Sequence, residues 1–183
     1  MAQMGIDPVV GQCVYEGPRF KVLSVEVVGS TGRPVRRDAV LSPESVVVLP
    51  LLDDRTVVLI RNRRFVVGMD LWELCAGTME DLEQPLPCAE RELLEETGYR
   101  AGRLEPLLDF YPAPGLSNEH MWGFLARDLH HEGQKLDENE QIEVEVVGLN
   151  RSIQMIRDGQ IRDAKTIATL LYYQMFHANG KHT

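Results

Sequence analysis

Gly77-Thr78-Met79-Glu80-Asp81-Leu82-Glu83-Gln84-Pro85-Leu86-Pro87-Cys88-Ala89-Glu90-Arg91-Glu92-Leu93-Leu94-Glu95-Glu96-Thr97-Gly98-Tyr99 is the stretch on which the rest of the chain is organised. Pro85 and Pro87 suit a loop that turns into a first helical turn, because proline lacks the N–H that a helix start leaves unpaired. Gly98 suits the stop, where the backbone often needs a left-handed residue. The pattern predicts a helix over about residues 87–97. At about 3.6 residues per turn, Glu92, Glu95 and Glu96 fall within roughly 100° of one another. Ala89, Leu93 and Thr97 point to another side, toward a core. Three carboxylates on one short face repel each other unless a cation sits among them. An oxygen-only cluster suits Mg²⁺ or Mn²⁺ rather than zinc; a solvated acidic helix face is the plain alternative.

The chain has 183 residues, enough for one domain with a small appendage, and 44% hydrophobic content is ample for one core. A net charge of -9 argues against a broad nucleic-acid footprint. An acidic protein that takes a phosphorylated substrate needs metal ions or local arginines to offset the repulsion. Cys13, Cys75 and Cys88 form no Cys-x-x-Cys pair, which fits reduced thiols in a cytoplasmic protein. Residues 1–11 have neither a basic flank nor an apolar core, so no signal peptide is expected. No apolar run is long enough for a bilayer, and no membrane partner is expected.

Residues 1–17 are weakly patterned and predicted irregular. Residues 20–28 and 34–41 read as two strands joined by the turn Gly29-Ser30-Thr31-Gly32. An isolated antiparallel β-hairpin is marginal in water, so this one must pack on the main domain or on another chain. The domain division expected is a tail and hairpin over 1–42 and a main domain over 43–183. Residues 44–52, with Val46-Val47-Val48, read as a buried strand. Asp53-Asp54 turns the chain into a strand over 56–61, which ends in the basic cluster Arg61-Asn62-Arg63-Arg64.

Further strands are expected over 104–111, 120–126 and 142–149. A polar loop over 128–139 carries His130-His131, read as loop residues more readily than as metal ligands. A short helix over 152–157 ends at Gly159. A last helix runs from Asp163, an N-cap candidate, to His177, with Ile167, Leu170, Leu171 and Met175 facing the core. Strands outnumber helices, which suits an α/β fold with a mixed sheet and helices on its faces.

The opening stretch resembles the Nudix box, Gly-x5-Glu-x7-Arg-Glu-U-x-Glu-Glu-x-Gly-U, with U a bulky apolar residue. Every fixed position matches, Tyr99 filling the last U with an aromatic ring. A chance match in a chain this long is on the order of 10⁻⁷ from average residue usage, so the resemblance is specific. It implies the family's α/β/α sandwich and cleavage of a nucleoside diphosphate linked to another moiety. Three later segments look like those of the ADP-ribose pyrophosphatase subfamily. They are Phe110 through Glu119, with Pro114 fifteen residues past the box, Asp137 through Val144, and Ile153 through Leu170 with Asp163-Ala164-Lys165-Thr166-Ile167. Cys75 departs from the small or apolar residue, usually proline, common at its position, and is expected to pack there without chemical consequence.

The resemblance also implies roles. Glu92 and Glu96 would be the main metal ligands, with Glu95 and the Ala76 carbonyl adding to the set for Mg²⁺, or Mn²⁺ in its place. Glu83 and Arg91 would brace the loop and orient the ligand glutamates. Glu138 would be the catalytic base, with Glu140 as the alternative or as a group that touches metal or positions water. Arg64 would contact phosphate through its planar fork, and Glu73 would lie on the substrate side. Arg36 and Arg37 would reach across a homodimer to the partner's nucleotide. The expected activity is hydrolysis of the pyrophosphate bond of ADP-ribose. The alternatives are a broader or GDP-mannose-type nucleoside diphosphate sugar hydrolase, and a non-catalytic nucleotide-binding module.

Overall fold

The computed structural model describes residues 9–136 and 141–178, and these divide into two compact units. The first comprises the chain up to Pro43 together with Ala113–Glu119. Its strands β1 (Gln12–Glu16), β2 (Lys21–Val28) and β3 (Pro34–Leu41) form an antiparallel sheet in that order. Gly29 N–H closes the β2–β3 turn on Arg33 O at 2.8 Å. The expected β2–β3 hairpin is present, and β1 adds a third strand to it, so residues 12–16 are not irregular. β1 is short, exposed along its length and shifted in register between Cys13 and Tyr15, so it carries no alternation of burial to read. The inserted segment is tied to β3: Val40 N–H donates to Leu116 O at 2.9 Å, and Asn118 Oδ1 accepts from Ser42 N–H at 2.8 Å.

The second unit is built on a seven-stranded mixed sheet. Its strands are β4 (Ser45–Asp53), β5 (Thr56–Arg64), β6 (Met69–Glu73), β7 (Ala76–Thr78), β8 (Tyr99–Phe110), β9 (Met121–His131) and β10 (Ile142–Gly148). The main order is β10-β5-β4-β9-β8, with β6 on β5 and β7 on β4. β4 and β9 run parallel, while the other pairs are antiparallel. Three helices complete it, α1 (Pro85–Thr97), α2 (Leu149–Arg157) and α3 (Ala164–Phe176).

Alternation along β4 sorts two cores. Val46 and Val48 pack with Cys88, Ala89 and Leu93 of α1. Val47, Leu49 and Leu51 pack with Leu149 and Met155 of α2 and Leu170 and Tyr173 of α3. Each fully buried aliphatic side chain contributes about 1.5–3 kcal/mol. One helix on one face and two on the other make an α/β/α sandwich.

Strand boundaries depart from expectation because of pairing. β5 continues to Arg64 because β6 returns along it, Arg63 opposite Asp70 and Arg64 opposite Met69. β9 continues to His131 because β8 pairs with it to the end, Tyr99 opposite His131, so the paired histidines are strand residues. α1 starts at Pro85, two positions before the predicted start, and ends at Gly98, whose φ of 74° is the left-handed cap expected. In α3 the buried residues are Thr166, Thr169, Leu170 and Tyr173, while Met175 is 70% exposed rather than in the core. The helix turns its threonines inward because one of them is bonded to the sheet, as described below. No described helix is long and apolar enough to cross a membrane.

Candidate active site

α1 presents its glutamates toward the loop between β6 and the helix. Glu92 and Glu96 are 9% and 3% exposed, and Glu95 is half-buried. One guanidinium ties the group together. Arg91 grips Glu83 at two points, Nε to Oε1 and Nη2 to Oε2, both at 3.0 Å. Its Nη1 donates to Glu92 Oε1 at 2.7 Å and to Glu95 Oε2 at 3.0 Å. The Arg91 fork holds the Glu83 carboxyl at about 2, and Glu83 in turn raises the Arg91 value further. Glu83 Oε2 also accepts from Glu80 N–H at 2.9 Å, so the loop before α1 is pinned to the helix.

The strand side meets the same carboxylates. Ala76 N–H donates to Glu96 Oε2 at 2.9 Å. A Cβ on Gly77 would stand 1.9 Å from the carboxyl carbon of Glu92, so only glycine leaves room for that side chain. At the helix C-terminus, Gln134 Nε2 donates to Glu96 O at 2.7 Å and Lys135 N–H to Glu95 O at 3.1 Å. The chain leading to residues 137–140 therefore departs from the end of the glutamate helix. Glu138 and Glu140 lie outside the described residues.

Arg64 approaches from β5. Its Nε donates to Glu73 Oε1 at 2.8 Å and its Nη2 to Glu73 Oε2 at 2.7 Å. These bonds hold the guanidinium above its ordinary value, and the negative charge of Glu96 adds to the effect. Glu73 is fully buried, and its Oε2 also accepts from Lys165 Nζ at 2.5 Å. Glu73 is therefore closed in behind Arg64 and Lys165 rather than standing open to solvent. Arg36 and Arg37 lie in the other unit, exposed on β3; Arg36 Nε donates to Ser24 Oγ at 2.5 Å. Cys75 is buried, and burial pushes its thiol well above the ordinary value; Cys88 is pushed up to about 12.

Among the described residues, no three His, Cys, Asp or Glu side chains converge tightly enough to hold a metal ion as they stand. The charge between Glu92 and Glu95 is Arg91's own. The donor chemistry nonetheless fits a hard divalent cation: oxygen ligands only, two of them largely buried on one helix turn, facing a backbone stripped of a side chain at Gly77.

A family model of the NUDIX domain matches residues 41–170. The chain belongs to the Nudix family. It is 32% identical over 167 residues to the ADP-ribose pyrophosphatase of Bacillus subtilis (strain 168), covering 90% of each chain. It is 34% identical over 134 residues to the GDP-mannose pyrophosphatase of Salmonella typhimurium, covering 67% of this chain and 69% of that one. Among solved structures it is similar to one described as an ADP compounds hydrolase, with a TM-score of 0.79 and 25% identity over 90% of this chain and 89% of that one. The protein is a Nudix hydrolase with a Nudix fold, which sets aside the non-catalytic reading. Nudix hydrolases as a family use divalent cations such as Mg²⁺.

The box residues of this Nudix chain are gathered by a single helix and its preceding loop, which is why they were readable in order. Lys165 and Thr166 carry no sign in the sequence of a place beside the site. Their signal was confined to the run Asp163-Ala164-Lys165-Thr166-Ile167 and to Asp163 as a cap. Nothing local links that run to Glu73.

Proposed function

We propose that this Nudix hydrolase splits the pyrophosphate of ADP-ribose to AMP and ribose 5-phosphate with Mg²⁺, Mn²⁺ serving in its place. The observation that carries the reading is the 32% identity to an ADP-ribose pyrophosphatase over 90% of both chains. The intact set of box glutamates gathered beside Arg64 and Ala76 supports it.

Glu92, Glu95 and Glu96, with the Ala76 carbonyl, would hold the cations. When bound, these neutralise phosphate oxygens and acidify a water, the two obstacles to attack on a pyrophosphate. Arg91 and Glu83 keep the glutamates in place. Arg64, braced by Glu73, binds a substrate phosphate through the part of its guanidinium that Glu73 leaves free. Glu138 accepts the proton of the attacking water, since a carboxylate engaged with a cation is a poor proton acceptor; Glu140 positions that water. The water oxygen joins one phosphorus, and the bridging oxygen leaves on the other phosphate.

The active species is a cytoplasmic homodimer in which the N-terminal sheet forms the contact and Arg36 and Arg37 reach the partner's nucleotide. The substrate is a small nucleoside diphosphate sugar, with no role for nucleic acid or membrane.

A second reading, hydrolysis of GDP-mannose or of several nucleoside diphosphate sugars, is favoured by the 34% identity over 134 residues to a GDP-mannose pyrophosphatase. A Mg²⁺ assay comparing ADP-ribose, GDP-mannose, UDP-glucose and dinucleoside polyphosphates separates the two. The first reading expects the highest kcat/KM with ADP-ribose; a preference for GDP-mannose replaces it with the second.

A further inference from the structure

Four charged side chains run in alternating sign from the start of α3 to the site: Asp163, Lys165, Glu73 and Arg64. Asp163 Oδ1 accepts from Lys165 Nζ at 2.9 Å, and Lys165 Nζ donates to Glu73 Oε2 at 2.5 Å. Glu73 then takes the two-point fork of Arg64. Side-chain exposure is 16%, 12% and 1% for the first three and rises to 38% at Arg64, so the series opens to solvent most at the arginine.

The anchor of the series is stiff. Asp163 Oδ2 caps α3, accepting from Thr166 N–H at 3.0 Å and from Thr166 Oγ1 at 2.6 Å. The same Thr166 Oγ1 accepts from Leu74 N–H at 2.8 Å. One helix end thus holds both the carboxylate of Glu73 and the backbone of the next residue. Two positions further on, Ala76 N–H meets Glu96. The placement of Arg64 and of the loop against the glutamate helix is referred to one point.

Placement decides what Arg64 offers. Asp163 balances Lys165 and Glu73 balances Arg64, so what Lys165 supplies is a second grip on Glu73 Oε2, which holds that carboxylate and the fork upon it in one place. Glu73 occupies the Nε–Nη2 edge of the guanidinium and leaves the Nη1 edge for another acceptor. A cation held this way binds phosphate before and during reaction alike, so its loss reads in KM rather than in kcat.

We propose that Lys165, held by Asp163, is a positioning residue that fixes Glu73 so that Arg64 presents a charged, pre-oriented edge to a substrate phosphate. The proposal rests on the assignment of Arg64 to the substrate made above. A double-mutant cycle tests it, with Arg64→Ala, Lys165→Met and the pair measured for KM and kcat with ADP-ribose and Mg²⁺. Calorimetric Kd for ADP-ribose in EDTA is measured alongside. Lys165→Met is expected to raise KM about tenfold, the scale of one hydrogen bond to a charged group, with kcat within about threefold. In the Arg64→Ala background the same change should move KM and Kd no further. Equal effects with and without Arg64 overturn the proposal, as does a Lys165→Met protein that loses thermal stability but keeps KM and Kd. If Arg64→Ala alone leaves both constants unchanged, the assignment of Arg64 falls, and this proposal with it. Should Lys165→Met fail to fold, Lys165→Gln, which keeps a donor and drops the charge, carries the same cycle.

Discussion

The carboxylate of Glu92 occupies the space that a side chain on Gly77 would need, 1.9 Å from the position of its Cβ. The atom met is the end of the Glu92 side chain, held there by Arg91 Nη1 at 2.7 Å, while Gly77 is fixed in a strand bonded to β4, so the carboxylate is what must move. Gly77→Ala should therefore displace Glu92 and lower kcat/KM by about 100-fold or more, the cost of misplacing a reacting group by an ångström. Steady-state rates with a Mg²⁺ titration check this; a fully active alanine variant would contradict the packing.

Glu96→Gln removes one charge from the cluster and keeps an oxygen for Ala76 N–H. Turnover should fall to background while circular dichroism and thermal melting stay close to those of the parent. Full activity of the folded variant rejects Glu96 as a metal ligand.

Glu138→Gln separates base from ligand. The change should cut kcat by about 10²-fold or more, the scale of general-base catalysis, and leave Mg²⁺ affinity nearly unchanged. A collapse of metal affinity instead makes Glu138 a ligand and puts the base elsewhere.

The fork from Arg91 gives acid unfolding a local origin. Folding holds Glu83 at about 2, against an ordinary 4.5. Between those values the unfolded chain binds a proton that the folded chain does not. The stability from this group is complete above about pH 4.5 and is lost as pH falls toward about 2. Denaturant midpoints followed over that window should fall steeply for the parent and less steeply for Glu83→Gln; parallel curves would rule the fork out as a contributor.

The three-stranded sheet leaves Val14 53% and Val28 80% exposed. The homodimer proposed above, a two-fold assembly being the commonest closed form, would cover such a surface. Deleting residues 1–42 should give a monomer or an aggregate without activity, although the whole box remains. Light scattering that finds a fully active monomer at assay concentration excludes the dimer.

What the sequence determined by itself was local. The helix carrying Glu92, Glu95 and Glu96 follows from neighbours three and four residues apart, its stop from Gly98, and its start, to within two positions, from Pro85 and Pro87, each a short-range effect. The β-branched run at 46–48 announced a strand buried on both faces, and β4 is that strand. Asp163 was readable as a cap because a cap involves only the next turn. Tertiary structure decided what depends on partners distant in sequence. β1 exists because β2 offers it an edge, and β9 reaches His131 because β8 pairs to its end. α3 buries Thr166 rather than Met175 because Thr166 bonds Leu74, 92 residues away. The same separation divides Lys165 from Glu73. No periodicity spans such a gap; only the packing of α3 against the sheet brings the two charges within a hydrogen bond of each other.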